Sequence, residues 1–454
     1  MASDVDLLAQ IGETPLVELR NLDAGPCRLF VKLESQNPSG SIKDRIAVSM
    51  IDAAERDGRL KPGGRIIEAT AGNTGLALAL VAARRGYGIT LVIPDKMSRE
   101  KIAHLKAMGA EVVLTRSDVA KGHPEYYQDL AARLAVETGA FYTDQFNNPD
   151  NPAAHERGTG PEIWRQLEGD VGAVVAGVGS GGTLTGLSRF FTRLSPSTDI
   201  VLADPQGSIL AEYVKSGHVG EAGSWLVEGI GEDFVPPVSD LSRVRAAFTI
   251  PDGESFAVAR EVLRAEGLLV GSSSGTLIAA ALRYCRQQTE AKRVVTFVCD
   301  SGNKYLSKMY NDYWMADQGL LSRASFGDLR DLVARRHDEG GVVTIGPDDT
   351  LHTAYNRMKV YDVSQLPVLV GETCIGILDE SDILLAVEER GVGFGTPVRA
   401  AMTEKIETVA PTTPLGQLMP LFDSGRVAIL VDDDRFVGLI TRIDVLNHLR
   451  RKVA

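Results

Sequence analysis

The sequence predicts an α/β protein with wound sheets over its first two-thirds, followed by a smaller module of different character. Three observations support this prediction. Apolar runs of strand length alternate with helical patterns from about residue 29 to about residue 308, which is typical of a wound α/β sheet. Glycine- or serine-rich loops follow three of these runs, where ligands bind in such sheets. Beyond a polar stretch at 317–328, the sequence repeats itself.

Size, charge and cysteine usage limit the class of protein. A chain of 454 residues with 44% hydrophobic content can form two or three domains with sizeable cores. A formal net charge of −12 argues against binding to nucleic acid or to an anionic membrane. Because we find neither a signal-peptide pattern nor a run of membrane-spanning length, we expect a cytoplasmic protein. Four cysteines without C-x-x-C spacing suggest neither disulfides nor a metal site.

The first strand and the first helix are joined by the loop at 36–42. Leu29, Val31 and Leu33 alternate as in a strand, and apolar residues recur at helical spacing after Ile46. Lys43 therefore lies where a loop becomes a helix. Unpaired N–H groups and partial burial disfavour its charged form there, so it can supply the free amine that a Schiff base requires. Taken alone, the motif favours the simpler alternative of a solvated surface lysine.

The remaining elements follow the same alternation. We predict strands at 65–69, 89–93, 112–114, 173–178, 200–203 and 294–298, and helices at 74–85 and 98–108. The three loops of interest are Thr70-Ala71-Gly72-Asn73-Thr74-Gly75, Gly177-Val178-Gly179-Ser180-Gly181-Gly182-Thr183 and Gly271-Ser272-Ser273-Ser274-Gly275-Thr276. Each opens a helix, so its backbone N–H groups can bind an anion.

The second of these loops allows two interpretations. It matches G-x-G-x-x-G, and Asp204 lies at the end of the next predicted strand, as in a nicotinamide-dependent dehydrogenase. The motif lies in mid-chain, however, whereas a dinucleotide fold usually begins with it. A pyridoxal phosphate enzyme needs a Schiff-base lysine, a phosphate site and a partner for the ring nitrogen. Lys43, the second loop and the serine loop at 271–276 supply all three.

The motifs together resemble those of the cystathionine β-synthase family, within the group of fold type II pyridoxal phosphate enzymes that also contains the cysteine synthases. The resemblance covers 7–313 and is carried by the segment 37–45, by the three loops, and by Glu228-Gly229-Ile230-Gly231-Glu232-Asp233-Phe234. It implies a catalytic core like the tryptophan synthase β-subunit, made of two wound α/β subdomains, which we expect at 1–316.

The resemblance also implies roles for individual residues. Lys43 would carry pyridoxal phosphate, Asn73 would bond the ring hydroxyl, and Ser273 would face the pyridine nitrogen. The phosphate would be held by Gly179, Ser180, Gly181, Gly182 and Thr183. The carboxylate of the amino-acid substrate would be bound by Thr70, Ala71, Gly72, Thr74 and Gln145. For His155 we expect an ordinary structural role.

The activity implied is β-replacement, which joins L-serine and L-homocysteine to form L-cystathionine and water, with release of hydrogen sulfide when L-cysteine replaces serine. Cysteine synthase and an O-acetylserine-using variant are the alternatives. Ala71 stands where many relatives carry serine, and Glu232 stands where animal and yeast relatives have tyrosine. We expect no haem, because the haem-binding extension has no counterpart and the associated C-x-x-C is replaced by Ser195-Pro196-Ser197-Thr198. A homodimer is expected.

The last third repeats with a period of about 60 residues. Gly376-Ile377-Leu378-Asp379-Glu380-Ser381-Asp382 matches Gly438-Leu439-Ile440-Thr441-Arg442-Ile443-Asp444. This pattern resembles a tandem pair of CBS domains, a Bateman module of α+β structure, expected at 329–454 after a linker at 317–328, with copies at about 334–390 and 396–452. Thr441 and Asp444 fit an adenosyl site for S-adenosylmethionine or an adenine nucleotide. The alternatives are a module that only pairs subunits and a sensor without catalysis.

Overall fold

The computed structural model describes residues 6–453 except 71, 96, 98, 120–121, 322–324 and 389. The chain divides into two compact units, Met1–Tyr310 and Asn311–Ala454. The limits predicted from the sequence for the catalytic domain, the linker and the module stay a prediction. Within the described ranges, no helix is long and apolar enough to cross a membrane.

The first unit alternates strands and helices. Its strands are β1 Leu16–Leu19, β2 Arg28–Lys32, β3 Arg65–Ala69, β4 Gly88–Pro94, β5 Glu111–Thr115, β6 Phe141–Tyr142, β7 Ala173–Gly177, β8 Asp199–Pro205, β9 Val244–Ile250 and β10 Arg293–Phe297. Its α-helices are α1 Lys43–Arg56, α2 Asn73–Arg85, α3 Arg99–Ala107, α4 Tyr127–Thr138, α5 Asp150–Ala154, α6 Gly160–Gln166, α7 Gly182–Leu194, α8 Leu210–Ser216, α9 Asp252–Glu266 and α10 Ser272–Arg286. A turn of π-helix, His155–Thr159, joins α5 to α6, and 3₁₀ turns occupy Leu7–Gln10, Glu34–Gln36 and Gly302–Tyr305.

These strands form two separate sheets. The larger has the order β1-β2-β10-β7-β8-β9 and is parallel except for β1, which is antiparallel to β2. The smaller has the order β5-β4-β3-β6 and is parallel throughout. Central residues such as Val31, Leu91 and Val175 are fully buried, because parallel sheets are covered by helices on both faces. The expectation of two wound α/β subdomains is confirmed.

Each predicted strand of this unit is present, although β1, β6 and β9 were missed. β9 buries only its last residue fully, so its sequence lacks the continuous apolar run of a central strand. β6 has two residues, fewer than a periodic pattern requires.

The second unit is α+β, as predicted. Its helices are α11 Asp312–Asp317, α12 Leu351–Tyr361, α13 Glu380–Glu388, α14 Met419–Asp423 and α15 Arg442–Val453, with 3₁₀ turns at Leu329–Leu332, Val398–Ala400 and Leu415–Leu418. Its strands are β11 Gln365–Val370, β12 Thr373–Asp379, β13 Thr408–Val409, β14 Ala428–Asp432 and β15 Arg435–Ile440. The internal repeat corresponds to two antiparallel hairpins, β11–β12 and β14–β15, each followed directly by a helix.

Candidate active site

Lys43 is held at the first position of α1 by the end of β10. The backbone N–H of Ile42 donates to the carbonyl of Cys299 at 2.9 Å, and Ser41 pairs with Asp300 as an isolated β-bridge. The backbone N–H of Lys43 donates to the Ser41 hydroxyl at 3.3 Å. The loop before α1 is therefore attached to the large sheet, and Lys43 lies at the carboxyl end of that sheet.

The Lys43 side chain is half-buried. Burial lowers its pKa, and the attraction of Cys299, Asp300 and Glu232 only partly offsets this effect. Within the part of the chain that the structure describes, its ammonium group donates no hydrogen bond. The amine is therefore accessible in the neutral form that a nucleophilic lysine needs.

A buried ion network fixes the first turn of α1 beneath Lys43. Arg45 binds Glu34 at 2.7 Å and Glu162 at 2.6 Å, and the fully buried Lys32 binds Glu162 at 2.8 Å. Burial opposes the ionisation of Glu162, but the bonds from Arg45 and Lys32 outweigh it and hold the pKa of Glu162 at about 2. Two cations and two anions thus balance inside the protein, and they hold Arg45, two residues after Lys43.

Asn73 begins α2, and residues that follow β10 of the large sheet hold its side chain. Its amide nitrogen donates to the Asp300 carboxylate at 2.7 Å, and its amide oxygen accepts from the Lys304 ammonium at 2.6 Å. The Tyr305 hydroxyl donates to the same oxygen of Asp300 at 2.8 Å. An amide nitrogen carries two hydrogens, so Asn73 keeps one donor for a ligand.

Four of the predicted substrate residues come together at the small sheet. The Thr74 hydroxyl donates to the Gln145 amide oxygen at 2.8 Å, and the backbone N–H of Gly72 donates to the Thr70 hydroxyl at 3.2 Å. Ala71, the fifth, lies outside the described residues. The first turn of α2 leaves unpaired N–H groups beside these hydroxyls, which suits a carboxylate.

Beneath these residues lies Glu68, a fully buried carboxyl group on β3. It accepts a hydrogen bond from the Thr143 hydroxyl and one from the Gln145 amide nitrogen at 3.3 Å. Burial raises its pKa to about 8, against the opposing effect of the Thr143 hydrogen bond. Glu68 is therefore mainly protonated and neutral near pH 7.

The loop at 179–183 joins β7 to α7 and must be glycine-rich because its neighbours touch its backbone. A Cβ added at Gly181 would lie 1.8 Å from the Ser239 hydroxyl oxygen, and one at Gly182 would lie 1.8 Å from the Asn151 side-chain oxygen. A Cβ at Gly179 would lie 2.5 Å from a backbone carbonyl. The first-turn N–H groups of α7 have no intrahelical acceptors, and together with the hydroxyls of Ser180 and Thr183 they can hold a phosphate.

Asn151, which the sequence analysis did not assign to the site, links this loop to the substrate residues. Its amide nitrogen donates to the Gln145 carbonyl at 2.8 Å and to the Ser180 hydroxyl at 2.9 Å. Asp204, the acid of the dinucleotide alternative, is fully buried on β8 and accepts the Ala211 backbone N–H at 2.8 Å. Because its side chain is fully buried, this carboxyl group is not exposed to a ribose.

Ser273 is buried in the first turn of α10 and lies beside the Cys299 thiol. The backbone N–H of Cys299 donates to the Ser274 hydroxyl at 2.9 Å. Burial raises the pKa of the Cys299 thiol to about 12, partly offset by Lys43. Ser273 and Lys43 therefore lie beside the same neutral thiol.

Lys101 and Lys308 form a further charged group that sequence analysis missed. Both bind the Glu228 carboxylate, Lys308 at 2.6 Å. A Cβ added at Gly72 would lie 3.4 Å from the Lys101 nitrogen, so this group reaches the predicted substrate loop. No local pattern indicated it, because its members come from three distant segments.

Thr441 and Asp444 belong to the second unit. The Thr441 backbone N–H donates to Asp444 at 2.7 Å, and the Thr441 hydroxyl donates to the same oxygen. Asp444 lines a cavity of about 260 Å³ together with Tyr313, Asp317, Arg330, Arg336, Asn447 and His448. In the first repeat, Asp379 and Asp382 instead exchange bonds with each other's backbone N–H groups at 2.8 and 3.0 Å.

The first unit fits pyridoxal phosphate by its own chemistry. It offers a half-buried amine of lowered pKa at Lys43, a glycine loop that excludes side chains, and a buried serine at 273. Among the residues that the structure describes, no group of three or more histidine, cysteine or acidic side chains is arranged to hold a metal ion.

Comparisons with known proteins give a family match in each of the two units. Residues 7–300 match the family model described as pyridoxal-phosphate dependent enzyme, and residues 331–389 and 398–451 match the CBS domain. The cystathionine beta-synthase of Apis mellifera is 36% identical over 460 residues, covering 98% of this chain and 91% of that protein. The cystathionine beta-synthase of Rattus norvegicus is 43% identical over 441 residues, covering 94% of this chain and 78% of that protein.

Two solved structures resemble the chain in fold. The crystal structure of O-ureido-L-serine synthase has a TM-score of 0.63 and 33% identity, covering 68% of this chain and 98% of that chain. A hydrogen sulfide-producing enzyme from Fusobacterium nucleatum has a TM-score of 0.61 and 33% identity, covering 67% of this chain and all of that chain.

Proposed function

The chain belongs to the cystathionine β-synthase family of pyridoxal-phosphate dependent enzymes, and we propose that it condenses L-serine with L-homocysteine to L-cystathionine and water. The observation that carries this proposal is the accessible Lys43 amine, which lies next to Cys299 and Asp300. Through those two residues it is connected to Ser273 and Asn73. The groups required to bind the cofactor and the amino acid thus surround one reactive amine.

Pyridoxal phosphate, when bound, withdraws electrons from the amino acid. It thereby weakens the covalent bond between the α-carbon and its hydrogen, and the bond from the β-carbon to its substituent. Lys43 would hold the cofactor and, once displaced by the substrate amine, would take the α-proton. The neutral serine at 273 would face the ring nitrogen. It cannot stabilise a positive ring as a carboxylate would, which favours loss of the β-hydroxyl over transamination.

We propose that the loop at 179–183 and its hydroxyls hold the phosphate, and that Asn73 bonds the ring hydroxyl with its remaining N–H. The carboxylate of L-serine would bind to Thr70, Ala71, Gly72, Thr74 and Gln145. Support for this group comes from the Thr74–Gln145 hydrogen bond of 2.8 Å, which brings Gln145 to the first turn of α2.

For the second unit we propose an adenosyl ligand at Thr441 and Asp444, either S-adenosylmethionine or an adenine nucleotide. The cavity of about 260 Å³ beside Asp444 supports this proposal. Only the second repeat carries a threonine at this position, which is why we expect one such site. We further propose a cytoplasmic homodimer.

The activity is tested by recording the visible absorption spectrum of the purified protein during sequential addition of L-serine and L-homocysteine, with cystathionine measured by mass spectrometry. A band that shifts with serine and returns with homocysteine, together with product, is the expected result. Lys43→Ala should abolish the band and the turnover. Lys215→Ala, at an exposed lysine on α8, is the control and should retain both.

Other outcomes identify the alternatives. A spectrum that responds to O-acetylserine but not to serine would replace the proposed donor and favour the cysteine-synthase branch. Hydrogen sulfide formed from L-cysteine would show that cysteine also serves as a donor. A colourless wild-type protein would contradict the assignment as a whole.

A further inference from the structure

The π-helical turn at 155–159 presents one histidine to the predicted phosphate loop. His155 is 1% exposed. Its Nδ1 lies 2.9 Å from the Thr159 hydroxyl, and its Nε2 lies 3.2 Å from the Thr183 hydroxyl in the first turn of α7. Turns of π-helix are rare and occur frequently at functional sites. This turn places Nε2 of His155 next to the Thr183 hydroxyl of the predicted phosphate loop.

The protonation state of His155 follows from its surroundings. Burial lowers its pKa far below the ordinary value, the neighbouring cations Arg45 and Lys43 lower it further, and Glu162 opposes them. The imidazole is therefore neutral, with one nitrogen that donates and one that accepts.

The hydroxyl groups decide which nitrogen donates. Thr159 is fully buried, and among the described residues its hydroxyl has no acceptor other than Nδ1 of His155. If Nδ1 carried the proton, the Thr159 hydroxyl hydrogen would be buried without a partner, which is costly. If Nε2 carries the proton, Thr159 donates to Nδ1 and Nε2 donates to the oxygen of Thr183. The Thr183 hydrogen is then free to point into the site.

Close packing keeps this arrangement in place. A Cβ added at Gly186 of α7 would lie 2.3 Å from the Pro152 carbonyl and 2.8 Å from the Cβ of His155. A Cβ at Gly160 would lie 2.7 Å from the Phe190 ring. Helix α7 therefore touches the segment of α5, the π turn and α6 along its backbone, and His155 cannot move away from Thr183 without shifting a helix.

We infer that His155 is a positioning residue that, as the Nε2–H tautomer, turns the Thr183 hydroxyl to donate its hydrogen to the cofactor phosphate. The inference rests on the proposed function, because it requires that loop to bind a phosphate. It replaces the purely structural role expected from the sequence.

The test measures the affinity of the full-length, cofactor-free protein for pyridoxal phosphate and for pyridoxal, which lacks the phosphate. His155→Leu should weaken pyridoxal phosphate binding about tenfold, as expected for loss of one hydrogen bond to a charged group. Pyridoxal binding should change less than about twofold, since the altered contact involves only the phosphate. His155→Gln, which restores an N–H near Nε2, should recover most of the affinity. Equal weakening of both compounds, or of neither, would overturn the inference.

Thr159→Val and Thr159→Ser form a second pair that does not alter the imidazole. Valine removes the hydroxyl that donates to Nδ1 and should reduce phosphate-dependent affinity, whereas serine should retain it. Nitrogen NMR of ¹⁵N-histidine-labelled wild type, with His155 assigned from His155→Gln, should show the proton on Nε2. A proton on Nδ1 would refute the inference without any variant. Failure of the proposed cofactor binding would differ, because the wild type itself would then not bind pyridoxal phosphate, and a different amino-acid donor would leave these affinities unchanged.

Discussion

Replacing Glu68 by glutamine should remove a large pH dependence of the stability of the protein. The pKa of Glu68 is raised from 4.5 to about 8 by burial. Between these values the folded state binds a proton that the unfolded state has released, so the wild type loses stability as pH rises through this window. Glutamine has the same shape and cannot ionise, and the variant should lack this contribution.

The magnitude follows from the two pKa values. One pKa unit corresponds to about 1.4 kcal/mol, so the full window between 4.5 and about 8 corresponds to about 5 kcal/mol. Over the narrower range from about pH 5.5 to about pH 7.5, the free energy of unfolding of the wild type relative to Glu68→Gln should fall by about 2–3 kcal/mol. Glutamine can accept the Gln145 hydrogen bond with its oxygen and donate to the Thr143 hydroxyl with its nitrogen, as the protonated carboxyl group can, so the comparison isolates the charge.

The assay is urea unfolding of both proteins at several pH values, with the exposed Glu221→Gln as control. The control should follow the wild type at every pH. A difference between wild type and Glu68→Gln that stays constant across this range would refute the reasoning, because it would mean that Glu68 does not titrate there. Substrate binding offers a second measurement. Above about pH 8 an ionised Glu68 next to Gln145 should repel the substrate carboxylate, raising KM in the wild type and not in the variant.

Three further changes test the groups around the site. Glu162→Gln leaves buried cations unbalanced and should cost about 3–5 kcal/mol in urea unfolding, and a cost below about 1 kcal/mol would contradict the network. Lys304→Met removes the donor to the Asn73 amide oxygen and should weaken pyridoxal phosphate binding about tenfold in an absorbance titration, whereas unchanged affinity would show that Asn73 is oriented without it. Asp444→Asn should weaken an adenosyl ligand about tenfold in calorimetry while Asp382→Asn does not, and equal effects of the two changes would argue against a single site.

The sequence predicted the parts of the fold and the site that depend on local pattern. The central strands were found because parallel strands covered on both faces form continuous apolar runs, as in β7 and β8. Lys43 and the loop at 179–183 were predicted as site residues because each stands where a strand-like run gives way to a helix. These features depend on residues that lie close together in the sequence, so residue type and spacing are enough to predict them.

Features that depend on distant segments could not be predicted in this way. Glu68 lies on an apolar strand, and its raised pKa results from burial that the sequence does not display. Lys101 and Lys308 meet through Glu228, which is distant from both in sequence. The sequence of His155 and its neighbours gives no reason to prefer a positioning role over a structural one, because the inference depends on the two hydrogen bonds at its ring.

Asp300 shows most clearly why the site depends on tertiary structure. It follows β10 of the large sheet, and its carboxylate accepts hydrogen bonds from Asn73 at the start of α2 and from Tyr305. Its backbone also pairs with Ser41, two residues before Lys43. Asp300 thus connects the loop that carries Lys43 to α2, which follows β3 of the small sheet. Because reacting groups must be held within a fraction of an ångström of their productive geometry, this connection contributes, together with Lys304, to the position of Lys43 relative to Asn73.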